Sequence, residues 1–158
     1  MRRIELMVGK LLPWTLIAFL DVALITVLGR TLFGVPLRGA APAFALGAML
    51  FVFASLGMGL LISALAPTLD SANMIALLVA FLPSFLLSGF AFALDQIPVW
   101  LQWISYAFPA RYMVTISRGV FLKGAGFTEL WPEMAALALY ALVMLLISSV
   151  LYGRRASR

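Results

Sequence analysis

Four stretches of the chain, roughly 11–29, 43–66, 72–90 and 133–152, are long and apolar enough to cross the hydrocarbon of a bilayer, which takes about 20 residues. A segment in lipid has no water to satisfy its amides and carbonyls, so it must close its hydrogen bonds within itself as a helix. This constraint predicts an all-α, polytopic membrane protein with four transmembrane helices. Composition agrees: 65% of the 158 residues are hydrophobic and 11% charged, and the mean hydropathy is +1.12, outside the range of soluble domains. The net charge of +5 lies mainly at the termini and beside the apolar runs. Anionic headgroups and the positive-inside bias account for it there, so membrane lipid is an expected partner and nucleic acid is not. The chain has no Cys and no His, which removes disulfides, thiolate sites and the commonest metal ligand and proton shuttle. No catalytic residue, metal or cofactor is expected of this polypeptide.

The first span, LLPWTLIAFLDVALITVLG, has Pro13 at its expected first turn, Gly29 at its end and Asp21 near its middle. No small-residue cleavage site follows it, so it is expected to stay in the mature chain rather than act as a removable signal. Residues 30–42 are rich in Gly, Pro and Arg and read as an interfacial loop. In the second span Ser55, Gly59 and Ser63 recur at i, i+4 and i+8, a small-residue face suited to close helix packing. Pro67 ends that helix, and Asp70 or Ser71 is expected to cap the next. In the third span Pro83 removes the hydrogen bond to the Val79 carbonyl and predicts a bend, with Ser84 and Ser88 nearby to re-pair freed groups. The fourth span is expected to begin at Glu133, after Trp131 and Pro132, and to end before the basic tail 153–158. With an even number of spans both termini share a side. Arg2, Arg3, Lys10, Arg154, Arg155 and Arg158 there face Arg30, Arg38, Arg111, Arg118 and Lys123 opposite, which is almost no orienting bias.

Between the third and fourth spans lies FALDQIPVWLQWISYAFPARY, apolar and aromatic but interrupted by Pro98 and Pro109. From Pro98 to Phe108 the helical period gathers Gln102, Ser105 and Tyr106 on one side, with Trp100 and Trp103 elsewhere. After Pro109 a second short helix places Arg111, Thr115, Arg118 and Leu122 on one face, with Tyr112 on another and Gly119 near its end. Each covers only about half the hydrocarbon at about 1.5 Å per residue, so neither spans. Residues 92–124 therefore read as a re-entrant or interfacial helical hairpin, its Trp and Tyr rings at the depth that suits them. It either fills the connection or shapes a pathway for something leaving the membrane.

The series from Leu82 to Gly124, Pro-x-Trp-Leu-Gln, Pro-x-x-Tyr, Arg-Gly and Leu-Lys-Gly in that order, resembles the C-terminal signature of ABC-2 type transporter permeases. EL…GKLLP (Glu5–Pro13), LFGVPLRG (Leu32–Gly39), SLGMGLLIS (Ser55–Ser63) and FTELWP (Phe127–Pro132) extend the resemblance over nearly the whole chain. The resemblance implies one membrane domain made of the last four of six spans, with cytoplasmic termini and 92–124 as an external hairpin. It implies that residues 1–10 are a cytoplasmic coupling segment, with Arg3, Glu5, Gly9 and Lys10 as contacts to a separate ATP-binding cassette ATPase subunit that binds the ATP. It further implies a second permease copy, as homodimer or heterodimer, and a bacterial cytoplasmic (inner) membrane. The absent first two spans imply a fragment, a truncated frame, or a half completed by another chain. The function so implied is export of a drug, lipid or polysaccharide-like substrate driven by the partner's ATP hydrolysis.

Asp21 must face protein or water, because a carboxylate at mid-membrane costs about 2.5–3.5 kcal/mol or more. It is either hydrogen-bonded to a neighbouring helix or, with Pro83 and Ser84, part of a translocation path. Gly9-Lys10 is not a phosphate loop, since Ile4 stands where the first Gly would be and Leu11 where Ser or Thr is required. Arg111 and Arg118 either steer an anionic headgroup or substrate, or snorkel to external water. Two other classes fit the same spans: a membrane scaffold or assembly protein, and a small ion-coupled four-helix transporter in which Asp21 titrates.

Overall fold

The computed structural model describes residues 3–89 and 96–155, and the side chains of these except at 3–8, 10, 11 and 152–155. The described residues are helices and connections without a strand. Helix α1 is Arg3–Leu32, α2 Ala41–Leu65 and α3 Leu69–Ile75; α3 continues through a π-helical stretch, Ala76–Phe81, into α4, Leu82–Leu87. The short helices α5 (Val99–Ser105) and α6 (Pro109–Arg118) follow, then a π-helical turn, Gly119–Lys123, and the long α7, Phe127–Arg155. Among the described residues four segments are long and apolar enough to cross a membrane: Leu12–Leu32, Ala41–Leu65, Leu69–Leu87 and Phe127–Leu151. The chain is an all-α, multi-pass membrane protein.

The core is the α2–α7 pair. Ala43, Ala54, Leu137 and Ala141 are buried between them, and Ser148 donates from α7 to the Gly57 carbonyl of α2 at 3.1 Å. At the other end Ala40 N–H points to the Ala125 carbonyl at 3.4 Å. Both helices therefore advance in the same direction and start at the same end of the bundle. Small residues let the backbones approach: a Cβ on Gly57 would lie 3.0 Å from Met144 Cβ. The face that packs carries Ala43, Gly47, Ala54 and Gly57. The expected stripe of Ser55, Gly59 and Ser63 points elsewhere; Gly59 is exposed with open space where a Cβ would stand, and with Ser63 it lines an outer groove beside the α2–α3 turn. Spacing alone marks both sets as small. Only the positions of α6 and α7 select one of them.

Three boundaries differ from the sequence expectations. Helix α1 runs through Pro13 without a break, losing one hydrogen bond to the Gly9 carbonyl in a turn that faces open space. Helix α7 starts at Phe127 rather than Glu133 and takes Pro132 inside it, because Leu130 N–H already finds the Gly126 carbonyl at 3.3 Å and opens the first turn upstream. The cap of α3 is Thr68, not Asp70 or Ser71. Its hydroxyl accepts from Ser71 N–H at 3.2 Å while Ser71 Oγ accepts from Thr68 N–H at 3.1 Å, a reciprocal box that Ser71 completes from the third position. Pro83 is accommodated upstream: the ladder widens over Ala76–Phe81, and Leu82 N–H reaches back five residues to Leu77. Residue 90 of the third expected span and 92–95 of the hairpin lie outside the described residues, as do 156–158 of the tail.

If the α2–α7 seam is as described, Gly57→Leu destabilises the purified chain by about 1–3 kcal/mol through overpacking. Gly59→Leu stays within about 0.5 kcal/mol. Unfolding in mixed micelles with increasing dodecyl sulfate, followed by circular dichroism, measures both.

Candidate functional site at the hairpin end of the bundle

Helices α5 and α6 sit at the end where α2 and α7 begin. Proline starts each: Pro98 precedes α5 and offers its carbonyl to Leu101 and Gln102 N–H at 2.9 and 3.1 Å, and Pro109 opens α6 after the extended Phe108. Gln102 reaches back with its side-chain amide to the Ile97 carbonyl at 2.9 Å. The two helices join at Tyr106–Phe108, where the amides of 106, 107 and 108 bond three residues back. Tyr106 N–H thus turns to Trp103, and the Gln102 carbonyl takes the Ser105 hydroxyl at 2.6 Å and the Arg111 guanidinium at 3.0 Å instead. Arg111 also donates to Ser105 Oγ, and its guanidinium carbon stands 3.7 Å from the Tyr106 ring centroid. A cation on the last carbonyls of α5 suits the negative helix end and the ring face alike. Tyr112 adds a hydroxyl bond to the Tyr106 carbonyl at 3.0 Å. Burial raises the Tyr112 phenol above its ordinary pKa, against the opposing pull of Arg111, so it remains a donor.

The exit of α6 is clamped to the entrance of α2. Gly39 N–H donates to the Val120 carbonyl at 2.8 Å, and a Cβ on Gly39 would fall 2.5 Å from the Ala125 carbonyl oxygen. No side chain fits there. Gly124 turns the chain with φ 75° and lets Ala125 N–H close on Gly119 at 2.9 Å. Ile116 and Val120 are fully buried, Ile116 filling the space that a side chain on Gly47 would need. Arg118 reaches across to the Gly89 carbonyl beyond α4 at 2.6 Å. Trp100 and Trp103 stay exposed, and an apolar crevice of about 410 Å³ opens between Pro83 and Leu86 on one wall and Ile97, Pro98 and Leu101 on the other. Among the described residues no group of three or more acids could hold a metal ion.

The family model described as ABC-2 type transporter matches residues 1–122. A relative named "Probable multidrug ABC transporter permease YbhS" from Escherichia coli K12 is 38% identical over 122 residues, 77% of this chain and 32% of the relative. The chain belongs to the ABC-2 type transporter family. A relative named "Probable multidrug ABC transporter permease YbhR" from the same organism is 28% identical over 130 residues (82% and 35% of the two chains). The inner membrane transport permease YhhJ, also from E. coli K12, is 29% identical over 134 residues (84% and 36%). This ABC-2 chain spans about a third of the length of these curated relatives. No solved structure matches it.

In this family member the residues singled out in the sequence fall at three places. Pro98, Trp100, Trp103, Pro109, Arg111, Tyr112, Arg118 and Gly119 come together in the hairpin, with Pro83 beside it across the crevice. Arg3, Glu5, Gly9 and Lys10 lie in the first turns of α1, the far end of that helix from the loop that touches the hairpin; the side chains of Arg3, Glu5 and Lys10 lie outside those described. Asp21 is midway along α1, exposed, with no hydrogen bond or ion pair among the described residues. Ser84 is half-buried on α4. Arg111 proves to be a clip within the hairpin rather than a free cation. Gly39, Gly47 and Ile116 were not singled out in the sequence; the apolar face that Ile116 shares with Met113 and Val120, opposite Arg111, Thr115 and Arg118, was the available signal.

Arg111→Met is expected to loosen α5 while leaving α7 intact. Losing charge-assisted bonds of about 1.5–3 kcal/mol lowers amide-exchange protection over 101–108 by about 10-fold to 100-fold, with 134–148 unchanged by mass spectrometry. Unchanged protection over 101–108 in Arg111→Met would show that Arg111 holds nothing.

Proposed function

We propose that this chain is the membrane-embedded C-terminal portion of an ATP-driven exporter, working with a separate ATPase subunit and a second permease copy. Both termini are cytoplasmic, the hairpin is external, and the membrane is a bacterial cytoplasmic one. The names of YbhS and YbhR as multidrug permeases favour a drug-like amphiphile over a polysaccharide, and the apolar crevice beside Pro83 is compatible with one.

The observation that carries this reading is the continuity of α1. Thirty residues without interruption make a rod of about 45 Å, with the coupling segment at its start and the loop clamped to the hairpin after its end. ATP-driven movement of a partner at Arg3–Lys10 is then passed mechanically to Gly39 and, through the 2.8 Å bond, to Val120. The π-helical stretch ahead of Pro83 supplies a third span whose ladder is already loosened, a place where bending costs little. No bond is made or broken in the permease; the chemistry stays with the partner's ATP.

A cysteine at Glu5 is expected to crosslink to an ATP-binding cassette subunit co-expressed from the same host, and co-reconstitution of the chain is expected to raise that subunit's ATPase rate. No crosslink from any position between 2 and 10, with an unchanged rate, would contradict the exporter reading and favour a scaffold.

A further inference from the structure

The hairpin's two arginines are not equivalent. Arg111 spends its guanidinium on the Gln102 carbonyl, Ser105 Oγ and the Tyr106 ring. Arg118 makes one hydrogen bond among the described residues, to the Gly89 carbonyl, and is otherwise exposed. A guanidinium carries five N–H donors, so most of this one is unspent, and no described acid forms an ion pair with it. Its depth is fixed by its surroundings. Gly89 lies two residues past the end of the third candidate span and Val35 three past the end of the first, which puts the guanidinium where hydrocarbon gives way to headgroups. Arg118 also borders a pocket of about 430 Å³ whose other walls are Val35, Met113, Val114, Phe121 and Leu122. Apart from Ser117, whose hydroxyl is turned to the Met113 carbonyl, the lining is apolar.

One cation lining an apolar pocket, at headgroup depth and without a carboxylate partner among the described residues, matches an anionic amphiphile. We propose that Arg118 and this pocket form a binding site for an anionic phospholipid, the phosphate on the guanidinium and the first part of an acyl chain against Met113, Val114 and Phe121. The site rests on the hairpin lying at the membrane surface, as in the reading above, but needs neither the ATPase subunit nor a transported substrate. Because Arg118 simultaneously holds Gly89, a lipid there also braces the end of the third span against α6.

The purified chain in phosphatidylcholine vesicles, doped in turn with spin-labelled phosphatidylglycerol and spin-labelled phosphatidylcholine, tests this through the motionally restricted lipid fraction. The expected result is enrichment of phosphatidylglycerol that falls about fivefold in Arg118→Gln, the contribution of one cation near an anionic surface, and persists in Arg118→Lys. Arg38→Gln removes an exposed arginine at the same end that does not line the pocket, and is expected to leave the enrichment nearly unchanged. Equal losses in Arg38→Gln and Arg118→Gln would reduce the effect to diffuse surface charge and overturn the site. Displacement of the labelled lipid by inorganic phosphate would assign the arginine to a soluble anion and overturn the lipid. Helicity by circular dichroism keeps misfolding apart from loss of binding, and failure of the coupling crosslink leaves this result standing.

Discussion

The contact between the Gly39 amide and the Val120 carbonyl, 2.8 Å long, decides how the two halves of this chain meet. It brings the loop after the first span and the turn after α6 to one spot, where a side chain on Gly39 would collide with Ala125. With Ala40 on Ala125 it fixes the common starting end of α2 and α7. From there the small residues of α2 and the buried Leu137 and Ala141 zip the pair down to the Ser148–Gly57 bond. A short helical hairpin attached at that end has little freedom, since Arg118 ties it to Gly89 and Arg111 ties its halves together.

Everything outside this seam is loosely covered. The first and third spans present apolar faces along their whole length: Leu20, Ile25, Leu77 and Phe81 are more than half exposed. Asp21 sits on one of those faces. A mid-membrane carboxylate on a lipid-facing surface is costly, so in a bilayer it calls for protein or water against it. The chain spans about a third of the length of its relatives.

The spans were legible because hydrocarbon admits few alternatives: a predominantly apolar run of about 20 residues leaves only a helix. The hairpin was legible because Pro98 and Pro109 punctuate segments of helical period too short to cross. What escaped was decided between elements. Ser55, Gly59 and Ser63 look as suited to packing as Ala43, Gly47, Ala54 and Gly57, and α7, with Ile116 of α6 over Gly47, selects the second set. Arg111 looks like a headgroup ligand until the tight turn at Tyr106–Phe108 carries it back over the end of α5. Thr68 was overlooked as a cap because Asp70 is the stronger residue by type, whereas the box geometry with Ser71 rewards the position three residues earlier.

The account stands on α5 and α6 returning to the end of the bundle from which the chain entered them. Single cysteines at Gln96, which is exposed, and at Gly126, where a Cβ would meet open space, test that most directly with a membrane-impermeant maleimide applied to sealed vesicles of known orientation. The account predicts that both are labelled from the same side, and that neither reacts from the other until the bilayer is opened. Labelling of Gln96 from one side and Gly126 from the other would make the segment a crossing, and the bundle end described here would not exist.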